Sequence, residues 1–111
     1  MKPETKTNLH RLINLVDALL IGLDEKLGAR PAWESSTLEE RDDYWRAEHG
    51  ALNELRDRLA ETEGARFYHQ PPDGHAIRMG GIRSSSTSGW RGALTNWQKA
   101  ARRRIQKEFA S

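Results

Sequence analysis

The segment LHRLINLVDALLIGLDEKL, residues 9–27, contains 10 of the chain's 18 Leu, Ile and Val residues. Its apolar residues recur every three or four positions, which predicts an α-helix. Thr7 stands where an N-cap would, and Gly28 is a natural stop signal. Leu15 and Ile21 widen the apolar stripe until it nearly encircles the helix axis. We therefore expect this first helix to be surrounded by the other elements of the fold.

A second helix is predicted to begin directly after a short loop that contains Pro31 and Trp33. The four residues Ser36-Thr37-Leu38-Glu39 have the S-x-x-E spacing of a capping box, in which a hydroxyl and a carboxylate satisfy free backbone amides. Apolar residues then recur at helical spacing, while acidic residues and arginines share the remaining positions. This pattern predicts an amphipathic helix that ends by Gly64.

The segment from residue 63 to residue 87 has a different composition, rich in glycine, proline and serine. Ala65–Tyr68 and Ala76–Met79 could pair as a short hairpin around Pro72-Asp73-Gly74, but two strands of this length are marginal alone. We therefore predict an irregular connection, which is either functional or mobile.

A third helix is predicted near residues 88–109, with a serine hydroxyl as its cap. Its apolar line includes Trp90, Leu94, Trp97 and Ile105 at spacings of three or four. Because an amphipathic helix buries such a face, both tryptophans are expected in the core and not on a base.

These elements predict one small helical domain over residues 1–111, with helices near 8–27, 37–62 and 88–109. The expected fold class is all-α. The first two helices would form an antiparallel hairpin, which the third helix closes into a three-helix bundle after the long connection. A symmetric dimer through the first helix is a further hypothesis, since its apolar surface exceeds what two amphipathic helices cover.

Several classes of function are excluded or disfavoured by the composition. The chain has no cysteine, so disulfides, thiolate catalysis and cysteine-ligated zinc are excluded. No apolar run is long enough for a membrane span or a signal-peptide core, and we expect a soluble, cytoplasmic protein. His69, Asp73 and His75 lack a recognisable fourth ligand, so no metal is predicted. Because no nucleophile–base pair is evident, we expect a non-enzymatic protein without a cofactor.

Charge is distributed very unevenly along the chain. Residues 1–63 contain 9 Lys/Arg and 14 Asp/Glu, whereas residues 64–111 contain 9 Lys/Arg and 2 Asp/Glu. A basic region of this kind attracts an anion. The candidate anion-binding residues are Arg78, Arg83, Ser86, Thr87, Ser88, Arg91, Lys99, Arg102, Arg103, Arg104 and Lys107.

Flexible glycines, serine hydroxyls and a helix N-terminus within this region could together hold a phosphate. The alternative is that the serines only cap the third helix. Three consecutive arginines, Arg102, Arg103 and Arg104, fan over about 200° of a helix. Such a spread favours phosphate contacts over the reading of base edges.

Three partners for the basic half remain open. The first is nucleic acid, bound mainly through phosphates. The second is an acidic protein partner, in which case the chain is an adaptor or inhibitor with oppositely charged faces. The third is the chain's own acidic half.

The segment His75–Trp97, HAIRMGGIRSSSTSGWRGALTNW, resembles segments of small uncharacterised bacteriophage and prophage proteins. The resemblance covers under half of the chain and carries over no catalytic or binding residue. It implies a short accessory protein in a bacterial cytoplasm that acts on phage or host DNA or on a host protein.

Overall fold

A computed structural model describes residues 3–70 and 74–109 of the chain. The elements are α1 (Pro3–Leu27), α2 (Leu38–Glu63), β1 (Arg66–Gln70), β2 (Gly74–Met79), β3 (Ile82–Ser86) and α3 (Gly89–Phe109). The prediction of an all-α fold is wrong, because an antiparallel three-stranded sheet of order β1-β2-β3 lies between the second and third helices in sequence. The described part of the chain therefore has a mixed α/β fold.

The first two helices form an antiparallel pair. Arg11, near the start of α1, forms an ion pair with Glu63 at the end of α2, with 2.7 Å between Nη2 and Oε1. Lys26, near the end of α1, lies 3.6 Å from a carboxylate oxygen of Glu54, which is earlier in α2. Residues later in α1 therefore pair with residues earlier in α2, as in antiparallel helices. Within the described residues, no helix combines the length and apolar composition needed to cross a bilayer.

The ends of α2 follow from local chemistry. Thr37 is the N-cap, and its Oγ1 accepts a hydrogen bond of 3.1 Å from the N–H of Glu40. The S-x-x-E motif therefore predicted the start of α2, but it assigned the N-cap to Ser36, one residue before the observed N-cap. Gly64 ends the helix in the left-handed conformation, with φ of 65°, and its N–H donates to the carbonyl of Leu59.

Much of the segment predicted to be an irregular connection forms β-strands. β1 and β2 pair as the hairpin that the sequence suggested, although the residues between them, 71–73, lie outside the described residues. β2 and β3 are joined by Gly80 and Gly81, with φ of 60° and 80°. Two consecutive positive φ angles define the type I′ turn, whose twist matches that of the flanking strands. Met79 and Ile82 flank this turn and are buried.

The third helix covers one face of the sheet and connects it to the helical pair. The indole N–H of Trp97 donates to the carbonyls of Met79 and Ile82, at 3.0 and 3.2 Å, which fixes α3 to the glycine turn. The Nδ2 of Asn96 donates to the carbonyl of Ser85 at 3.0 Å, so α3 runs antiparallel to β3. The core includes Leu9, Leu12, Ile13, Val16, Leu55, Leu59, Ile77, Met79, Ile82, Leu94, Trp97 and Ile105.

Candidate anion-binding surface

The outer face of the sheet, turned away from α3, carries a row of arginines. Along β2, Ile77 and Met79 face α3 and are buried, whereas Arg78 between them is on the other face and exposed; Ala76, on the same face as Arg78, is buried. The register places Arg66 of β1 opposite Arg78, and Arg78 opposite Arg83 of β3. Arg66, Arg78 and Arg83, which we call the arginine row, therefore extend side by side across all three strands.

The charges of the arginine row are not compensated by the described residues. Neither residues 3–70 nor residues 74–109 provide a carboxylate within 4.0 Å of these guanidinium groups. Neighbouring strands lie about 4.8 Å apart, so the backbone positions of the three arginines span about 10 Å. Like charges directly opposite each other destabilise a sheet. Such a row lowers its energy by binding an anion.

A second row beside the arginines differs in character. Tyr68 of β1 lies opposite Ala76, which lies opposite Ser85, so one aromatic ring has two small neighbours. Tyr68 is 40% exposed. A shallow depression of about 400 Å³ on the sheet is lined by Tyr68, His69, Arg78 and Arg83. An aromatic ring, an open depression and two cations thus meet on one surface.

Two of the predicted site residues, Arg78 and Arg83, belong to the arginine row, but Arg91 does not. An Nη of Arg91 lies 2.8 Å from the carboxylate of Asp24, and its other Nη lies 3.8 Å from that of Glu48. Arg91 therefore joins α3 to both preceding helices. Arg91 is thus paired with carboxylates of the chain's own acidic half, which was the third partner considered for the basic residues.

The three consecutive arginines of α3 have separate surroundings, as their predicted fan implies. Arg102 points towards α1, where it lies 4.0 Å from a carboxylate oxygen of Asp17. Arg104 pairs with Glu108 one turn later, at 3.6 Å. Arg103 is exposed, and the described residues provide no carboxylate partner for it.

Lys99, Arg103 and Lys107 form the exposed cationic side of α3. Because Trp97 is bonded at the glycine turn and α3 runs antiparallel to β3, the helix passes this turn and its last residues extend beyond the sheet. The arginine row lies next to the same turn. The two groups of cations are therefore at the same end of the sheet.

The predicted phosphate loop is not assembled as one site with the arginine row. Ser86 ends β3, and its Oγ accepts a hydrogen bond of 2.9 Å from the N–H of Ser88. Its side chain also packs closely on Gly92, where an added Cβ would come within 2.6 Å of that oxygen. Thr87 and Ser88 are exposed between β3 and α3, at the far end of β3 from Arg83.

Arg66 and Tyr68 were absent from the residues that sequence reasoning selected. The signal for both was the possible hairpin, since pairing 65–68 with 76–79 brings Arg66 close to Arg78. The prediction that both tryptophans of α3 lie in the core is confirmed for Trp97, whereas Trp90 is half-buried and packs against the core. Trp97 is fully buried, and Trp90 makes edge-on ring contacts with Phe67 and His75.

The histidines of the hairpin form a tilted ring pair, with 39° between the ring planes. His69 and His75 lie directly opposite each other in the register, with ring centroids 5.0 Å apart. Asp73, which the sequence places near these two histidines as a potential metal ligand, lies outside the described residues. No group of three or more metal-capable side chains occurs within residues 3–70 and 74–109.

No protein-family model matches the chain, and comparison with curated proteins and with solved structures gives no match either. Function must therefore be inferred from the surface chemistry of the fold. The arginine row is its most distinctive feature, because three like charges are held together by backbone pairing.

Proposed function

We propose that the protein binds nucleic acid through the outer face of its sheet, mainly by phosphate contacts, and acts as a non-enzymatic accessory protein. The observation that carries the proposal is the arginine row. Backbone pairing fixes these three side chains on one exposed face, and the described residues offer them no carboxylate. A chain of phosphates supplies the missing anions.

Arginine suits this role better than lysine would. Its planar guanidinium donates two parallel hydrogen bonds to phosphate oxygens and is weakly hydrated, so it exchanges water for phosphate readily. The exposed cations of α3, Lys99, Arg103 and Lys107, extend the positive region beyond the glycine turn. Their contacts would add affinity without reading sequence, since phosphates are the same for every base.

The test is fluorescence anisotropy with labelled DNA and RNA across a range of salt concentrations. The informative variant changes Arg66, Arg78 and Arg83 to Gln. A matched control changes Lys26, Arg46 and Arg58 to Gln on the helical pair. Starting from the formal net charge of +2, both variants carry −1.

We expect the row variant to lose affinity for every sequence alike. The slope of log K against log salt should fall by about 2–3, since each phosphate contact contributes about 0.7–0.9. The control variant should keep most of the affinity and of the salt slope, because it removes the same charge from residues outside the proposed phosphate-binding face. Equal losses in the two variants would contradict the proposal and leave only a general effect of net charge.

A second candidate function, protein binding, is favoured by a separate surface at the other charged half of the chain. Trp33, Leu38 and Trp45 are exposed there by 77%, 76% and 57%. Trp33 and Trp45 line one depression with Pro31, Tyr44, Glu48 and two arginines, Arg30 and Arg41. The guanidinium of Arg41 lies 4.3 Å from the centre of the Trp33 ring. Exposed carboxylates nearby in sequence belong to Glu34, Glu39, Glu40 and Asp43. Exposed aromatic area among charges of both signs suits an amphipathic segment of a partner protein, so the chain would be an adaptor or inhibitor.

Selection of phage-displayed peptides against the whole protein tests this second function. We expect enrichment of peptides that present apolar and aromatic residues. These peptides should lose binding when Trp33 and Trp45 are both changed to Ser. Retained binding to that variant would rule out the aromatic surface as the docking site.

We also propose a cytoplasmic location, which a chain without cysteine fits. The resemblance of residues 75–97 supports a role in which phage or host nucleic acid is the target. A homodimer through α1 remains part of the proposal, and Ile21 of that helix is 58% exposed.

A further inference from the structure

We propose that the outer sheet face binds single-stranded nucleic acid, with Tyr68 stacking on a base while the arginine row holds the adjacent phosphates. This inference rests on the proposed nucleic-acid function and specifies its substrate class. It depends on the second row of the sheet, Tyr68–Ala76–Ser85, and not on the charges alone.

Tyr68 is accessible to a base, because this residue is 40% exposed. Ala76, its neighbour across the sheet, is fully buried, whereas Ser85 beyond it is exposed. The depression of about 400 Å³ is lined by Tyr68, His69 and two arginines. Aromatic rings of this kind stack on any base, because every base has a π-face. The ring therefore offers affinity without sequence preference.

The spacing of the two rows matches the layout of a nucleotide. Residues two apart on a strand are about 6.6 Å apart on the same face. Tyr68 is two residues from Arg66, and Ala76 is two residues from Arg78. A base placed against Tyr68 thus has its own or the next phosphate within reach of a guanidinium.

A duplex fits this surface less well than a single strand. The major groove, about 12 Å wide, admits a helix or a two-stranded ribbon. Three strands already span about 10 Å between their outer backbones, before side chains are added. In a duplex the faces of the bases are also covered by their stacked neighbours, so Tyr68 would meet only sugar and phosphate. Single strands expose both groups that the face can bind.

The tryptophans do not compete for this role. Trp97 is fully buried, and Trp90 is covered by Phe67 and His75 on the opposite side of the sheet. On the described outer face, Tyr68 is the aromatic residue that solvent reaches. Tyr68 is therefore the ring that we assign to stacking.

The experiment compares Tyr68→Thr and Tyr68→Phe with the unchanged full-length protein. Threonine removes the ring and keeps a residue that favours strands, whereas phenylalanine keeps the ring. The probes are a labelled oligothymidylate of about 16 nucleotides, within the range of known single-strand sites, and a duplex of the same length. Circular dichroism and thermal unfolding verify that each variant is folded.

We expect the unchanged protein to bind the single strand more tightly than the duplex. Tyr68→Thr should lose about tenfold or more in affinity for the single strand, as stacking residues do, and little for the duplex. Tyr68→Phe should retain single-strand affinity. The salt slope should be the same in all three proteins, because none of the changes removes a charge.

Two other results would overturn the inference. Single-strand affinity that is unchanged in folded Tyr68→Thr shows that no base stacks on this ring. A preference of the unchanged protein for duplex also contradicts it. In either case a loss of binding on removal of the arginine row still supports the proposed function. Absence of binding to any nucleic acid at low salt refutes both.

Discussion

Replacing Arg78 with Gln should stabilise the free protein and at the same time weaken its binding to nucleic acid. Arg78 is the middle member of the arginine row and lies opposite both Arg66 and Arg83. Each pair of like charges directly opposite each other costs about 0.2–1 kcal/mol. Removing the central charge relieves two such pairs, so the free energy of unfolding should rise by about 0.5–2 kcal/mol at low salt.

The outer positions of the row provide an internal comparison. Arg83→Gln relieves one opposing pair and should gain about half as much as Arg78→Gln. Arg78→Lys keeps the charge and should gain little. Glutamine retains part of the aliphatic stem, which limits the loss of packing that a shorter side chain would cause.

Urea unfolding at about 25 °C measures these differences. At about 1 M salt the Debye length is about 3 Å, so the repulsion is screened and the gain of Arg78→Gln should largely disappear. Unchanged m-values would show that the unfolded states are comparable. In the binding assay the same variant should lower the slope of log K against log salt by about 1.

Either of two outcomes would refute this reasoning. If Arg78→Gln and Arg78→Lys are equally stable at low salt, the arginines do not repel one another in the free protein. If the gain persists at about 1 M salt, it comes from packing or strand propensity and not from charge. A gain that vanishes with salt, together with weaker binding, would show that the row is kept for function at a cost in stability.

Three other predictions follow from particular contacts. Gly80→Ala should destabilise the protein by about 1–3 kcal/mol more than Gly81→Ala in urea unfolding, since both have positive φ but only a Cβ on Gly80 would meet α1, 2.9 Å from a leucine carbon. Arg11 lowers the pKa of Glu63 through their hydrogen bond. The Glu63 carboxylate therefore stabilises the fold above the ordinary glutamate pKa, and this stabilisation is lost as the pH falls through the lowered pKa. In thermal melts below about pH 5, Arg11→Gln should lose less stability on acidification than the unchanged protein does. If α1 forms a dimer, light scattering should give a dimeric mass at high concentration that Ile21→Glu reduces to a monomer, and a monomer in the unchanged protein at every concentration would dismiss the dimer.

The helices could be predicted because each has its own local pattern. The apolar spacing in residues 9–27 and the stop at Gly28 needed no knowledge of the rest of the chain. The start of α1 at Pro3 was missed by five residues, because the polar first turns contain no periodic apolar signal. Proline is common in the first turn of a helix, where its missing N–H costs nothing.

The third strand could not be recognised from its own residues. Ile82–Ser86 has the sequence IRSSS, with one apolar residue and a serine run that is typical of linkers. Its conformation depends on pairing with β2 and on the two glycines before it, whose positive φ angles close the turn. Two glycines between Met79 and Ile82 were the available signal, since a Gly-Gly pair flanked by apolar residues marks a two-residue hairpin.

Tertiary pairing decides which cations remain available to a ligand, and sequence alone could not show this. Asp24 is far from Arg91 in sequence, yet the packing of α1 against α3 joins them at 2.8 Å. Asp17 in the same way approaches Arg102. The acidic helices thus neutralise the side of α3 that they cover, whereas the sheet turns its arginines to the opposite face, beyond their reach. The uneven charge of the chain therefore becomes a local surface, and the arginines of the sheet, more than the run of three in α3, are where an anion should bind.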